Sequence, residues 1–257
     1  MTAHPDGTGQ TAVVTGAGGG LGAAIADRLT ARGCTVVRAD IAGTDTVLDV
    51  TDADACRALA AEVQPHIWVN NAGILGAGDA STQPDAEIER VIRVNLLGVI
   101  NGTRAAIAAM RERGTGHILN VGSLASWTPV PGEAVYAATK AGVLSFTVGI
   151  ASELRDSGIR FGVLCPDGIW SPMLYERLAD PAAAMSFTGS RLLTPDEVAD
   201  AAMSLLDSGR IVASVPPSRG LQTRLIGIAP SLGLKGAGLF EKIGLRNQRR
   251  FREQHAR

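Results

Sequence analysis

Tyr136 and Lys140 stand four residues apart in a run of helical period, so their side chains share one helix face and reach a common point. A free phenol has a pKa of about 10 and supplies little phenolate at neutral pH, whereas a nearby ammonium favours the charged form. The pair suits a general acid/base that takes a proton from a hydroxyl or returns one to a carbonyl. Ser123 lies upstream at the end of an apolar, β-rich run, and Asn95 lies in a long helical stretch before it. Each alone also fits a plainer role: Ser123 as a strand-end turn, Asn95 as a packed helix polar group, Lys140 as a solvated lysine.

A second cluster, Thr15-Gly16-Ala17-Gly18-Gly19-Gly20-Leu21-Gly22, follows the first β-rich run and opens a helix. Gly16, Gly20 and Gly22 let the backbone turn tightly, approach a pyrophosphate and pack the helix on a sheet, while the helix start around Leu21 offers N–H donors and a positive dipole end. Alone, such a turn is equally a flexible loop. Asp40 ends the next strand, about twenty residues on, where a carboxylate accepts hydrogen bonds from adenosine ribose hydroxyls and repels a 2′-phosphate. Neither Gly19 nor Ile41 is the basic residue that would cradle that phosphate, so NAD is favoured over NADP; Arg38 lies close by, on the same strand face as Asp40. The positive nicotinamide of NAD+ would add to the effect of Lys140 on Tyr136.

The elements that must hold these residues alternate. Short β-rich runs at 11–15, 35–39, 46–48, 67–70, 117–121, 160–164 and 211–215 are separated by helical patterns at 21–32, 53–63, 86–113, 133–156 and 195–207. This predicts one α/β domain over 1–257: a doubly wound, seven-stranded parallel sheet of Rossmann type with helices on both faces. The helix at 195 has the firmest start, with Thr194 as N-cap, Pro195 at the first position and Glu197 completing a capping box.

In their order the motifs resemble the short-chain dehydrogenase/reductase family in its short single-domain form. The resemblance rests on T-G-x-x-x-G-x-G at Thr15–Gly22, Asn70-Asn71-Ala72-Gly73, Ser123 and Tyr136-x-x-x-Lys140, and runs from Thr15 to Met173. It implies that Ser123 hydrogen-bonds the substrate oxygen, that Lys140 also holds the nicotinamide ribose, and that Asn95 holds a water continuing a proton relay. It further implies that Asp49 and Val50 contact adenine and that Asn71, Ala72 and Gly73 line the cofactor ribose. Pro166, Ile169 and Ser171 take the carboxamide-binding positions, although Asp167 stands where the family has Gly, with Gly168 offering conformational freedom one residue later. The reaction implied is metal-free hydride transfer between NAD(H) and a secondary alcohol or ketone. The long helices at 86–113 and 133–156 are those through which members pair, implying a homodimer or homotetramer. A nucleotide-sugar epimerase would need a larger C-terminal domain; an inactive, NAD-sensing relative would be expected to lack Ser, Tyr or Lys.

Composition sets outer bounds. The 257 residues are 46% hydrophobic and 19% charged, and 24 basic against 25 acidic side chains give a net charge of −1, which argues against a nucleic-acid partner. Cys34, Cys56 and Cys165 lack disulfide or zinc spacing and read as reduced, half-buried packing residues of a cytoplasmic protein. His4, His66, His117 and His255 are scattered, so no metal is expected. No basic leader and no apolar run of about 20 residues is seen. A lid at about 168–193 carries Trp170, Met173, Leu174, Met185 and Phe187, facing Leu124, Ala125, Trp127 and Val130. With Ser123 and Tyr136, the residues Ala125, Trp127, Trp170 and Met173 are expected to meet an apolar alicyclic, terpenoid or steroid-like alcohol, or else simply to pack as loops. From Leu221 the tail mixes apolar side chains (Leu232, Leu234, Leu239 and Phe240 among them) with basic ones from Lys235 to Arg257; packing over the active-site mouth or a subunit is favoured over a membrane surface.

Overall fold

Seven parallel strands form one sheet in the computed structural model, which describes residues 9–255; His4 and Arg257 lie outside these, as do the side chains of Leu232 and His255. The strands are β1 (Thr11–Thr15), β2 (Thr35–Asp40), β3 (Thr46–Val47), β4 (Ile67–Asn70), β5 (Gly116–Val121), β6 (Ile159–Pro166) and β7 (Val212–Val215). Their spatial order is β3-β2-β1-β4-β5-β6-β7, so the winding reverses between β1 and β4 and opens a crevice at the carboxyl ends of those strands.

The helices are α1 (Gly20–Ala31), α2 (Ala53–Val63), α3 (Asp85–Ile92), α4 (Gly98–Arg111), α5 (Ala134–Glu153), the single turn α6 (Pro172–Tyr175), α7 (Pro195–Ser208), α8 (Pro217–Ile228) and α9 (Pro230–His255). Neighbouring strand residues point to opposite faces, which sorts them between two cores. Val14, Val69 and Leu119 pack under α1 and α7, whereas Val13, Trp68 and Ile118 pack under α2 and α4. All six are 0% exposed, as central parallel strands covered on both faces require.

Three expectations are modified. The helix expected at 86–113 is α3 and α4 joined by a π-helical turn, Arg93–Leu97, and Asn95 lies in that turn. The segments Asp85–Arg111 and Ala134–Glu153 are long and apolar enough to cross a bilayer, which the run-length reading missed; both pack on the sheet through α4 and α5. All three cysteines are fully buried and free rather than half-buried. At α7, Thr194 Oγ1 accepts from Glu197 N at 3.2 Å and Glu197 Oε2 accepts from Thr194 N at 2.8 Å, forming the capping box read from sequence.

Candidate active site

The glycine-rich turn is shaped by contacts that exclude side chains. Gly16 has φ of +66°, and a Cβ there would lie 2.7 Å from Ala72 Cα; a Cβ on Gly22 would lie 2.1 Å from Gly16 O. Asn71 locks the turn, its Nδ2 donating to Thr15 O and Gly16 O at 3.0 Å each. The start of α1 has no side-chain cap and no acidic residue in its first turn, so its N–H groups and positive dipole end face the cavity undiminished. Asp40 stands across the turn, accepting from Gly18 N at 2.9 Å and Ile41 N at 2.7 Å. Arg38 is directed away to α1, where it pairs with Asp27 at 2.6 Å.

One cavity of about 890 Å³ joins this cradle to the side chains of Tyr136 and Lys140. It is lined by Gly16, Gly20, Leu21, Asp40, Asp49, Val50, Asn71, Ala72, Gly73, Tyr136, Lys140, Pro166, Ile169 and Ser171, so every cofactor-side residue read from sequence meets there except Gly22, which packs behind the turn. A cradle of backbone donors with the Asp40 carboxylate across it, opening on the same cavity as Tyr136 and Lys140, fits a dinucleotide. Among the described residues no group of three or more His, Cys, Asp or Glu side chains is arranged to hold a metal ion.

Ser123 ends the turn after β5, its Oγ accepting from Ala125 N at 3.1 Å and its N–H donating to Ser126 Oγ at 3.3 Å. Tyr136 and Lys140 project from the first turns of α5, with Lys140 Nζ 5.6 Å from the Tyr136 ring centre and donating to Val121 O at 2.9 Å. Burial lowers the Lys140 pKa to about 8. The phenol departs from expectation: burial drives its pKa upward, the charge of Glu133 adds to the rise, and the Ser123 hydroxyl opposes it. Removal from water is the largest of these influences, and in the protein alone Tyr136 rests as a phenol.

Asn95 is fully buried behind Gly73 rather than at the cavity wall. Its amide grips the Ile74 backbone at both ends, accepting from Ile74 N and donating to Ile74 O at 2.8 Å each. A π turn frees backbone groups from the regular ladder, and such turns recur at functional sites. Below, Asn70 receives Trp68 Nε1 at 2.7 Å and donates to Thr103 Oγ1 at 3.0 Å and Asn120 Oδ1 at 2.8 Å, tying β4 and β5 to α4. Neither Thr103 nor Asn120 was singled out from sequence.

The substrate side holds the corrections. Ala125 and Met173 line the cavity, but Trp127 and Trp170 do not. Trp127 is drawn under α8, where Arg224 stacks 4.3 Å from its ring, and Trp170 packs against Tyr175 and Phe251 with ring centres 5.6 and 6.5 Å away. Met185, Ile226 and Phe240 provide apolar wall instead. Asp167 is no open acid at the pocket: Arg219 of α8 donates to it at 2.9 Å and also reaches Thr188 in the lid at 3.1 Å. Gly168 is needed for space rather than backbone freedom, since a Cβ there would lie 2.4 Å from Ser186 O. The tail lies over the mouth, with Asn247 Nδ2 donating to Phe187 O at 2.8 Å and Gln248 Nε2 to Asp180 O at 2.9 Å. Sequence reasoning also missed Glu133, three residues before Tyr136, which is 2% exposed, lines the cavity and accepts from Ser186 Oγ at 2.6 Å. Burial raises its pKa to about 7.

Known proteins share this arrangement. The short chain dehydrogenase family model matches residues 10–182. The chain is 35% identical to 2-(R)-hydroxypropyl-CoM dehydrogenase of Xanthobacter autotrophicus, over 76% of this chain and 90% of that protein. It is 37% identical to 3beta-hydroxysteroid dehydrogenase 1 of Eggerthella lenta, over 77% and 87% respectively. A crystal structure of an actinorhodin polyketide ketoreductase variant with NADPH superposes with a TM-score of 0.75 at 28% identity, covering 84% of this chain and 98% of that one. Glycine turn, Ser–Tyr–Lys group, parallel sheet and sequence kinship lead to one assignment, and the chain belongs to the short-chain dehydrogenase/reductase family of oxidoreductases.

Proposed function

We propose that the protein interconverts a secondary alcohol and its ketone, using NAD(H) and a substrate that is chiefly apolar. The observation carrying this reading is the convergence of Ser123, Tyr136 and Lys140 on the cavity that also holds the glycine cradle. When bound, the nicotinamide supplies the hydride acceptor or donor. Ser123 holds the substrate oxygen and offsets charge developing on it. Tyr136 gives its phenolic proton to a nascent alkoxide or, once ionised, takes the alcohol's proton. Lys140 orients the ribose and favours the ionised phenol, and the Asn95 turn holds the water that passes the proton outward. We place adenine against Asp49 and Val50, and the carboxamide against Pro166, Ile169 and Ser171.

Asp40 underlies the choice of NAD, because a 2′-phosphate would meet its carboxylate while Arg38 stays with Asp27. The solved relative with NADPH makes this a choice within the family rather than a property of it. Met173, Met185, Ile226 and Phe240 underlie the apolar substrate. We assign the working form as a homo-oligomer paired through α4 and α5.

The test follows reduced nicotinamide by its absorbance, with NAD+ or NADP+ and a panel of alicyclic and steroid-like alcohols. Turnover with NAD+, reduced by about 100- to 10 000-fold in Tyr136→Phe with cofactor binding intact, is the expected result. Turnover with NADP+ alone would overturn the cofactor choice. Cofactor binding without turnover of any alcohol or ketone would favour a silent nucleotide-binding protein.

A further inference from the structure

The far wall of the cavity is also an outer surface. α8 turns Thr223 and Ile226 to the cavity, and its other side carries Leu221, Leu225 and Ile228 at 61%, 59% and 80% exposure. Their spacing of four and three residues places them in one stripe. α9 turns Ala237 and Phe240 inward, while Leu239 is 65% exposed and Leu234, which lines the cavity mouth, is 64% exposed. At helical period, the face opposite Phe240 and the buried Gly244 carries Lys235, Lys242, Arg246 and Arg249, all exposed. α9 holds six basic residues against Glu241 and Glu253, in a chain whose net charge is −1.

An open apolar stripe beside concentrated positive charge matches an anionic lipid surface, with leucines at the acyl boundary and cations among headgroups. A second copy of the chain fits less well, because a two-fold interface sets the same cations against themselves. We infer that the outer faces of α8 and α9 dock on an anionic bilayer, beside the cavity mouth at Leu234. Docking stands apart from the redox reading; delivery of an apolar alcohol from the bilayer rests on it.

Co-sedimentation of the whole protein with vesicles tests this, comparing phosphatidylcholine alone with vesicles about one-third phosphatidylglycerol, at low and high salt. The expected result is selective binding to the anionic vesicles that salt weakens. Lys242→Gln and Arg246→Gln should each lower partitioning about fivefold. Leu225→Gln with Ile228→Gln should lower it at low salt too, with NAD+ binding unchanged as the check on folding. No vesicle binding, or equal binding to both compositions, overturns the inference. So does a vesicle-indifferent protein that falls to a smaller oligomer on Leu225→Gln, which would put a second copy on the stripe. Vesicle binding without alcohol turnover keeps the docking and sinks the reaction; turnover without vesicle binding does the reverse.

Discussion

At Tyr136 burial raises the phenol's pKa most, and Glu133 acts second in the same direction. Its buried carboxylate adds to the rise in the phenol's pKa, so replacing it should ease ionisation. In the oxidative direction kcat/KM climbs with pH as the phenol ionises, and Glu133→Gln should move that climb to lower pH; an unmoved profile would show that Glu133 does not govern the phenol. The same substitution has a stability signature. The folded pKa of Glu133 is raised to about 7, above its ordinary 4.5, so the stability held by the protonated carboxyl is full below about 4.5 and lost as pH rises through 7. Glu133→Gln should therefore melt higher than the parent at pH 8 and alike at pH 4, by a difference of order a few kcal/mol in unfolding free energy. Sequence exposed Tyr136 and Lys140 through their spacing. It hid Glu133, because a glutamate ahead of a helix normally reads as a solvated first-turn acid, and only the fold shows Ser186 closing over it.

The elements read well where one hydrophobic period prevailed and poorly where tertiary contact chose the shape. All seven strands emerged within a few residues, since β1, β4 and β5 carry short apolar, β-rich centres between polar turns. The π turn at Arg93–Leu97 was invisible, because nothing in R-V-N-L-L departs from helical composition; the Ile74 backbone captured by Asn95 accompanies it. Asp167 read as an anomaly until α8 supplied Arg219, with side chains only 14% and 24% exposed. Arg219→Ala leaves a largely buried carboxylate unpaired and frees α8 from the lid, and should destabilise the protein by about 1–3 kcal/mol. KM for the alcohol should rise and amide exchange should quicken across 168–193, whereas KM for NAD+ should hold. If Asp167→Asn added to Arg219→Ala recovers none of the lost stability, the unpaired charge is not the cause.

Across the whole molecule, one group marks a limit on the acid side. His117, buried on β5, has neither ring nitrogen hydrogen-bonded, and burial lowers its pKa from 6.5 to about 3. The unfolded chain binds the proton more readily, so stability should fall as pH drops below 6.5. His117→Leu removes that penalty and should flatten the acid limb of a melting-temperature profile; an unchanged limb would assign it to other groups. The sequence disclosed the glycine turn and the residues that gather round it because backbone shape there is written in glycines and a short motif. It disclosed little of the substrate half, where the walls come from α8, α9 and the lid, and where Trp127 and Trp170 were taken up by packing instead.

That division also has an order in time. Gly16 and Asp40 come well before Ile226 and Phe240 in the chain, although all four line one cavity. Chains emerge and fold from the amino end at about 5–20 residues per second. A growing copy therefore holds the residues of its glycine turn well before those of the cavity wall opposite them.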